Sequence, residues 1–207
     1  MIDLIAVVAD GHQEKVLEAL FLRIPKSSGT SVFSFDIIKN AGKDSGTYND
    51  SHELLRPFIN QYRFALVVFD FDGSGVEHLS REQVEKNVQE LLDKNGWQDR
   101  SAVIVIRPEL ENWMWVDNPN VQQAIGWENE ISLYDWAKQE GWLPEGTTKP
   151  IGPKGALEKA MFLSGTPKSA AVYGKIAATV SYSRCSDAAF LRMIQQIKDW
   201  FPLPSTV

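Results

Sequence analysis

The chain opens on an apolar run of strand length, Ile2 to Ala9, that stops abruptly at Asp10-Gly11. An unbroken apolar run of this kind is what a strand covered on both faces of a parallel sheet requires. From Gln13 onward Val16, Leu17, Leu20, Phe21 and Ile24 recur at helical spacing, and Pro25 is expected to close that helix. Phe33, Phe35 and Ile37 then alternate with Ser34 and Asp36, the period of a half-exposed strand. Lys39 to Asp50, polar and carrying Gly42 and Gly46, reads as a loop. Leu54, Leu55, Phe58, Ile59 and Tyr62 predict a second helix that Pro57 should kink or start. Phe64 to Asp70, FALVVFD, is the clearest buried strand in the chain.

A third helix is predicted from Ser80, with Gln83 in the capping-box position, Val84, Val88, Leu91 and Leu92 on one face, and a stop near Gly96. Ala102 to Ile106 gives a fourth strand, followed directly by Arg107-Pro108-Glu109. Strands that alternate with helix-length crossovers predict an α/β fold, a doubly wound and mostly parallel sheet. The ligand site of such a sheet lies beyond the carboxyl ends of its strands. The remainder reads as helical and aromatic: Trp113, Trp115, Trp127, Trp136 and Trp142 cluster there, followed by helical segments at Gly155 to Phe162, Lys175 to Val180 and Asp187 to Trp200. A stretch rich in Gly, Pro and Thr from Gly141 to Pro153 divides an α/β domain with an aromatic helical insertion, residues 1–148, from a helical C-terminal extension, residues 149–207. That extension is expected to pack on the same domain.

Charge sharpens this division. The 207 residues carry a formal net charge of −6. Residues 1–148 hold 13 Lys and Arg against 24 Asp and Glu, whereas residues 149–207 hold 8 against 3. An acidic part suited to a divalent cation is therefore followed by a basic tail suited to phosphate, although a solvated charged surface would give the same count. One cysteine excludes an intramolecular disulfide framework and any Cys-rich zinc module. No apolar run reaches the ~18 residues that a membrane span needs, so a cytoplasmic protein without a membrane partner is expected.

The candidate chemistry sits at the strand ends. The first strand delivers Asp10, the strand at 64–70 delivers Asp70 and, two residues on, Asp72, and the fourth delivers Glu109 and Glu111. Parallel strands gather these acids at one sheet edge, and alternation would turn Asp70 and Asp72 to the same side. Oxygen ligands of this kind suit Mg²⁺ or Mn²⁺. Asp72-Gly73-Ser74-Gly75 is equally good turn chemistry.

In their order, Asp10-Gly11 with Gln13-Glu14, the strand closing in Asp70-x-Asp72, and Glu109-Leu110-Glu111-Asn112-Trp113 resemble the Toprim-like domains of an uncharacterised prokaryotic family. That family is similar in its acidic core to topoisomerase-primase domains and to overcoming-lysogenisation-defect nucleases. Tyr173-Gly174-Lys175 and Ser183 to Leu191 are similar to its tail.

The resemblance implies a Toprim/Rossmann-like fold and an Mg²⁺-dependent (or Mn²⁺-dependent) nuclease in a defence or mobile-element setting, with nucleic acid and a protein encoded nearby as candidate partners. It implies Asp70 and Asp72 as metal ligands, with Glu109 and Glu111 completing a second site. Asp10 stands where such domains usually carry a glutamate acting as general acid/base, and Glu14 is its possible substitute. Lys154, Lys175 and Arg184 are the phosphate candidates, Arg184 through bidentate contact. The shorter Asp10 also admits a catalytically silent, regulatory or nucleic-acid-binding subunit. The sequence leaves the oligomeric state open. A competing match is VVFDFDGSG, Val67 to Gly75, which looks like the first motif of haloacid-dehalogenase-type phosphatases, with Asp70 as nucleophile and Asp72 as acid/base. It ranks second because Glu109 and Glu111, and no later aspartate pair, follow the next strand. Cys185 reads as a packing residue, Trp113 as packing beneath the acids, and His12 as a loop histidine beside the site.

Overall fold

A computed structural model describes residues 1–116, 118–180 and 185–204 of the chain. Four strands, β1 (Ile2–Val8), β2 (Phe35–Lys39), β3 (Tyr62–Asp70) and β4 (Ser101–Ile106), form one parallel sheet in the order β2-β1-β3-β4. Helix α1 (Gly11–Ser28) leads from β1 outward to β2. Helix α2 (Lys43–Leu55) then returns across β1 to β3, and α3 (Arg81–Leu92) continues to β4. The connections after β1 and after β3 therefore run in opposite directions, and the crevice between these two strands is the switch point at which doubly wound sheets bind ligands.

Side-chain alternation along the strands builds two cores. Leu4, Ala6 and Val8 of β1 join Leu66 and Val68 of β3 and Val16, Leu17, Leu20 and Phe21 of α1 on one face. Ile5 and Val7 join Val67, Phe69, Val103 and Val105 with Val84 and Val88 of α3 on the other. The first face is also covered by α4 (Glu111–Met114), α5 (Pro119–Ala124), α6 (Leu133–Gln139), α7 (Pro153–Leu163), α8 (Ala170–Thr179) and α9 (Ala188–Trp200). The extension beyond residue 149 thus shares the core of the sheet, with Leu157, Tyr173, Phe190 and Trp200 buried in the same cluster as β1.

The chain's last described residues are tied to the start of β2. Ser31 donates its N–H to the Phe201 carbonyl at 2.9 Å and its hydroxyl to the Pro202 carbonyl at 2.7 Å. Phe201 stacks on Phe33 with ring centroids 4.4 Å apart.

Two expectations fail. Pro25 lies inside α1, which runs on to Ser28 and ends at Gly29 in the left-handed conformation. The helix expected around Leu54 to Tyr62 is instead α2, which begins at Lys43 within the segment read as a loop and gives way to a 3-10 turn at Arg56–Phe58. Glycine lowers helix propensity by about 1 kcal/mol relative to alanine, so Gly46 looked like a loop signal. Its reason is packing: a Cβ there would lie 2.6 Å from Asn40 Oδ1. The third helix starts as expected, with the Ser80 side chain accepting from the Gln83 N–H.

Candidate functional site

The strand register brings the acids to one edge. Val8 pairs with Val68 in β1 and β3, and Asp10 and Asp70 each follow two residues further, at the same end of the two strands. Asp10 is the N-cap of α1: its Oδ1 accepts the N–H of His12 at 2.8 Å and of Gln13 at 3.0 Å. Burial opposes its charge, but the contact with His12 and the two backbone donors prevail and hold its carboxyl below the ordinary value. His12 Nδ1 lies 3.7 Å from Asp10 Oδ2.

Gln13 is buried behind this cap. Its Oε1 accepts the Ala9 N–H at 2.9 Å, and its Nε2 donates to Asp44 Oδ1 at 3.3 Å. Asp44, in the first turn of α2, also accepts the backbone N–H of Asp70 at 2.8 Å. Burial, reinforced by the charge of Asp10, raises the Asp44 carboxyl. Sequence periodicity does not single out Asp44, because its polar segment carries no apolar stripe to mark a helix.

Asp70 is the centre of the cluster. Its Oδ1 is shut off from solvent and meets no hydrogen-bond partner among the described residues. Burial raises its carboxyl well above the ordinary value, and Asp44, Glu111 and Asp10 push it further; the backbone N–H of Leu110 works the other way. A buried, unpartnered carboxylate oxygen whose charge three other acids oppose is a position that calls for a proton or a cation.

Glu111 and Glu109 approach from the segment after β4. Glu111 is buried, and the Tyr173 hydroxyl donates to its Oε1 at 2.6 Å. Glu109 reaches the start of α7, where its Oε1 accepts the Lys154 N–H at 3.1 Å and its Oε2 is 3.5 Å from Lys154 Nζ. Burial and the neighbouring Glu111 raise the Glu109 carboxyl despite Lys154. Burial lowers the ionisation of the Lys154 ammonium, but Glu111, Glu109 and Asp70 outweigh burial and raise it above the ordinary lysine value. Lys154 thus supplies the cluster with a cation from the basic extension.

Other expected site residues lie elsewhere. After Asp70 the strand yields to a turn closed by the Ser74 N–H on the Phe71 carbonyl at 3.2 Å, with Glu77 Oε1 accepting the N–H groups of Gly73 and Gly75. Asp72 is exposed on that turn. Strand alternation does not extend to it, because Gly73 takes φ +94° and the backbone turns. Glu14 Oε2 pairs with Lys39 Nζ at 3.0 Å.

Lys175 is exposed on α8 two residues beyond Tyr173, about 200° around the helix from the tyrosine that faces the cluster. Lys149 donates to the carbonyls of Asn112 and Trp115 at 2.7 and 2.6 Å, which ends α4. Arg184 lies outside the described residues. Trp113 is buried against Phe190, and its Nε1 donates to Asp187 at 2.9 Å. Cys185 is buried.

Among the described residues no group of three or more His, Cys, Asp and Glu side chains is placed to hold a metal ion. Mg²⁺ does not demand one, because it keeps several waters and often takes one or two protein carboxylates. The bare Asp70 oxygen, whose ionisation the charges of Asp44, Glu111 and Asp10 oppose, is compatible with that open mode of binding. Among the described residues no helix is long and apolar enough to cross a membrane. No protein-family model, no curated protein and no solved structure matches this chain.

Proposed function

We propose that this chain is a Toprim-like, divalent-cation-dependent phosphodiester-processing protein, a nuclease in its simplest form. The observation that carries the reading is Asp70 Oδ1, buried and without a partner among the described residues, at the carboxyl end of a central parallel strand. Asp70 with Asp44 or Glu111 would hold Mg²⁺ or Mn²⁺. Such an ion polarises a phosphate oxygen and offsets the charge that develops in phosphoryl transfer. Lys154, half-exposed and paired with Glu109, would meet a second phosphate oxygen.

A second reading, a silent subunit that binds nucleic acid or regulates a partner, is favoured by one feature. Asp10 Oδ1 is committed to two backbone N–H groups, so the residue in the general acid/base position is engaged in capping a helix. One experiment separates the two. Supercoiled, linear and single-stranded DNA and RNA are incubated with the protein in Mg²⁺ and in Mn²⁺, beside Asp70→Ala. Metal-dependent cleavage that Asp70→Ala abolishes supports the nuclease. Binding of nucleic acid without cleavage supports the silent subunit, and neither cleavage nor binding overturns both.

A further inference from the structure

The contact between α8 and Glu111 assigns a role to a residue that carries no charge. Glu111 is 3% exposed. A carboxylate so enclosed needs a donor to keep one geometry, and the Tyr173 hydroxyl supplies it at 2.6 Å. The tyrosine is itself fully buried. Its ring stacks on His12 with centroids 4.3 Å apart and planes 27° from parallel. His12 is in turn fixed to Asp10, through its backbone N–H at 2.8 Å and its ring at 3.7 Å. A continuous path of contacts therefore joins the acid after β1 to the acid after β4, and it passes through a helix of the C-terminal extension.

One Glu111 oxygen, Oε1, is thus occupied by Tyr173.

We infer that Tyr173 is a positioning residue for the candidate cation site: its hydroxyl holds Glu111 so that one carboxylate oxygen faces Asp70, with the His12 ring as its backstop. This rests on the proposed cation site and names a part of it that charge counting does not find. Groups that orient metal ligands typically change metal affinity about 10- to 100-fold when removed.

The test is a double-mutant cycle read by Mn²⁺ titration, following the electron paramagnetic resonance signal of free Mn²⁺, with thermal melts of the metal-free proteins as the fold control. Tyr173→Phe is expected to weaken Mn²⁺ binding about 10-fold while keeping a cooperative melt. Glu111→Gln is expected to weaken it at least as much. The double variant should bind no more weakly than Glu111→Gln alone, because a hydroxyl that acts through Glu111 has nothing to act on once the carboxylate is gone.

A Tyr173→Phe protein that binds Mn²⁺ as wild type does overturns the inference, and so does a loss that adds in full to that of Glu111→Gln. A variant without a cooperative melt also overturns it, by showing a purely structural hydroxyl. Wild-type protein that binds no Mn²⁺ overturns the cation site itself, an outcome read from a different sample.

Discussion

At the residue scale the most informative atom is Asp70 Oδ1. A carboxyl raised in the folded state holds its proton to higher pH than it does in the unfolded chain. Between the two ionisations the folded state binds more protons, so stability falls as pH rises through that window. Burial with its acid neighbours raises Asp70, and burial raises Asp44 and Glu109 in the same direction, while Asp10 is lowered and opposes them. The metal-free protein is therefore expected to melt higher at pH 5 than at pH 7. Asp70→Asn should flatten that dependence and raise the melting temperature at pH 7, by about 2–4 °C for each kcal/mol of relieved repulsion. Melts across this pH range check it, and a variant that melts lower at pH 7 would remove the premise. Asp70 was legible from sequence because it ends an apolar run. Its partner Asp44 was not, since nothing in a polar segment marks which of its acids folds inward.

At the element scale, α2 shows why that information was hidden. Hydrophobic periodicity finds helices by their apolar stripe, and α2 has little of one: its buried residues are Thr47, Ser51 and Leu55. Gly42 and Gly46 reinforced the loop reading, yet both glycines serve close packing on Asn40. Asn40 Oδ1 accepts the Gly42 N–H at 2.7 Å, so a methyl at residue 46 would collide with the side chain that organises the start of the helix. Gly46→Ala is expected to destabilise the protein by about 1–3 kcal/mol, the usual cost of overpacking, despite alanine's better helix propensity. Denaturant unfolding measures this, and a stabilised variant would contradict the packing. The helices with clear stripes, α1, α3 and α9, were readable, as were all four strands. The Pro25 stop failed because an existing helix with strong burial on Val16, Leu20 and Ile24 tolerates the lost bond near its last turn.

At the scale of the whole molecule, the charge division along the sequence becomes partial neutralisation in space. The extension contributes to the acid cluster through Lys154 and Tyr173, while Lys175 faces solvent and Lys149 ends a helix. Its packing is equally consequential. Leu157, Met161, Tyr173, Ile176, Phe190, Met193, Ile197 and Trp200 all lie in the core that covers one face of the sheet. Burying one such side chain is worth about 1.5–3 kcal/mol, and the net stability of a whole domain is about 5–15 kcal/mol. A chain truncated after Thr148 is therefore expected to lose its cooperative thermal transition and to bind a hydrophobic dye. A truncated chain with a sharp melt would show instead that residues 1–148 fold alone.

The placement of Tyr173 and Lys154 also fixes an order of events during synthesis. A ribosome releases Asp10, Asp44, Asp70, Glu109 and Glu111 before it has made either residue. The nascent sheet thus carries its acids without the hydroxyl that holds Glu111 and without the ammonium that meets Glu109. Both contacts await α7 and α8, so a half-made chain has the charges of the site without its geometry.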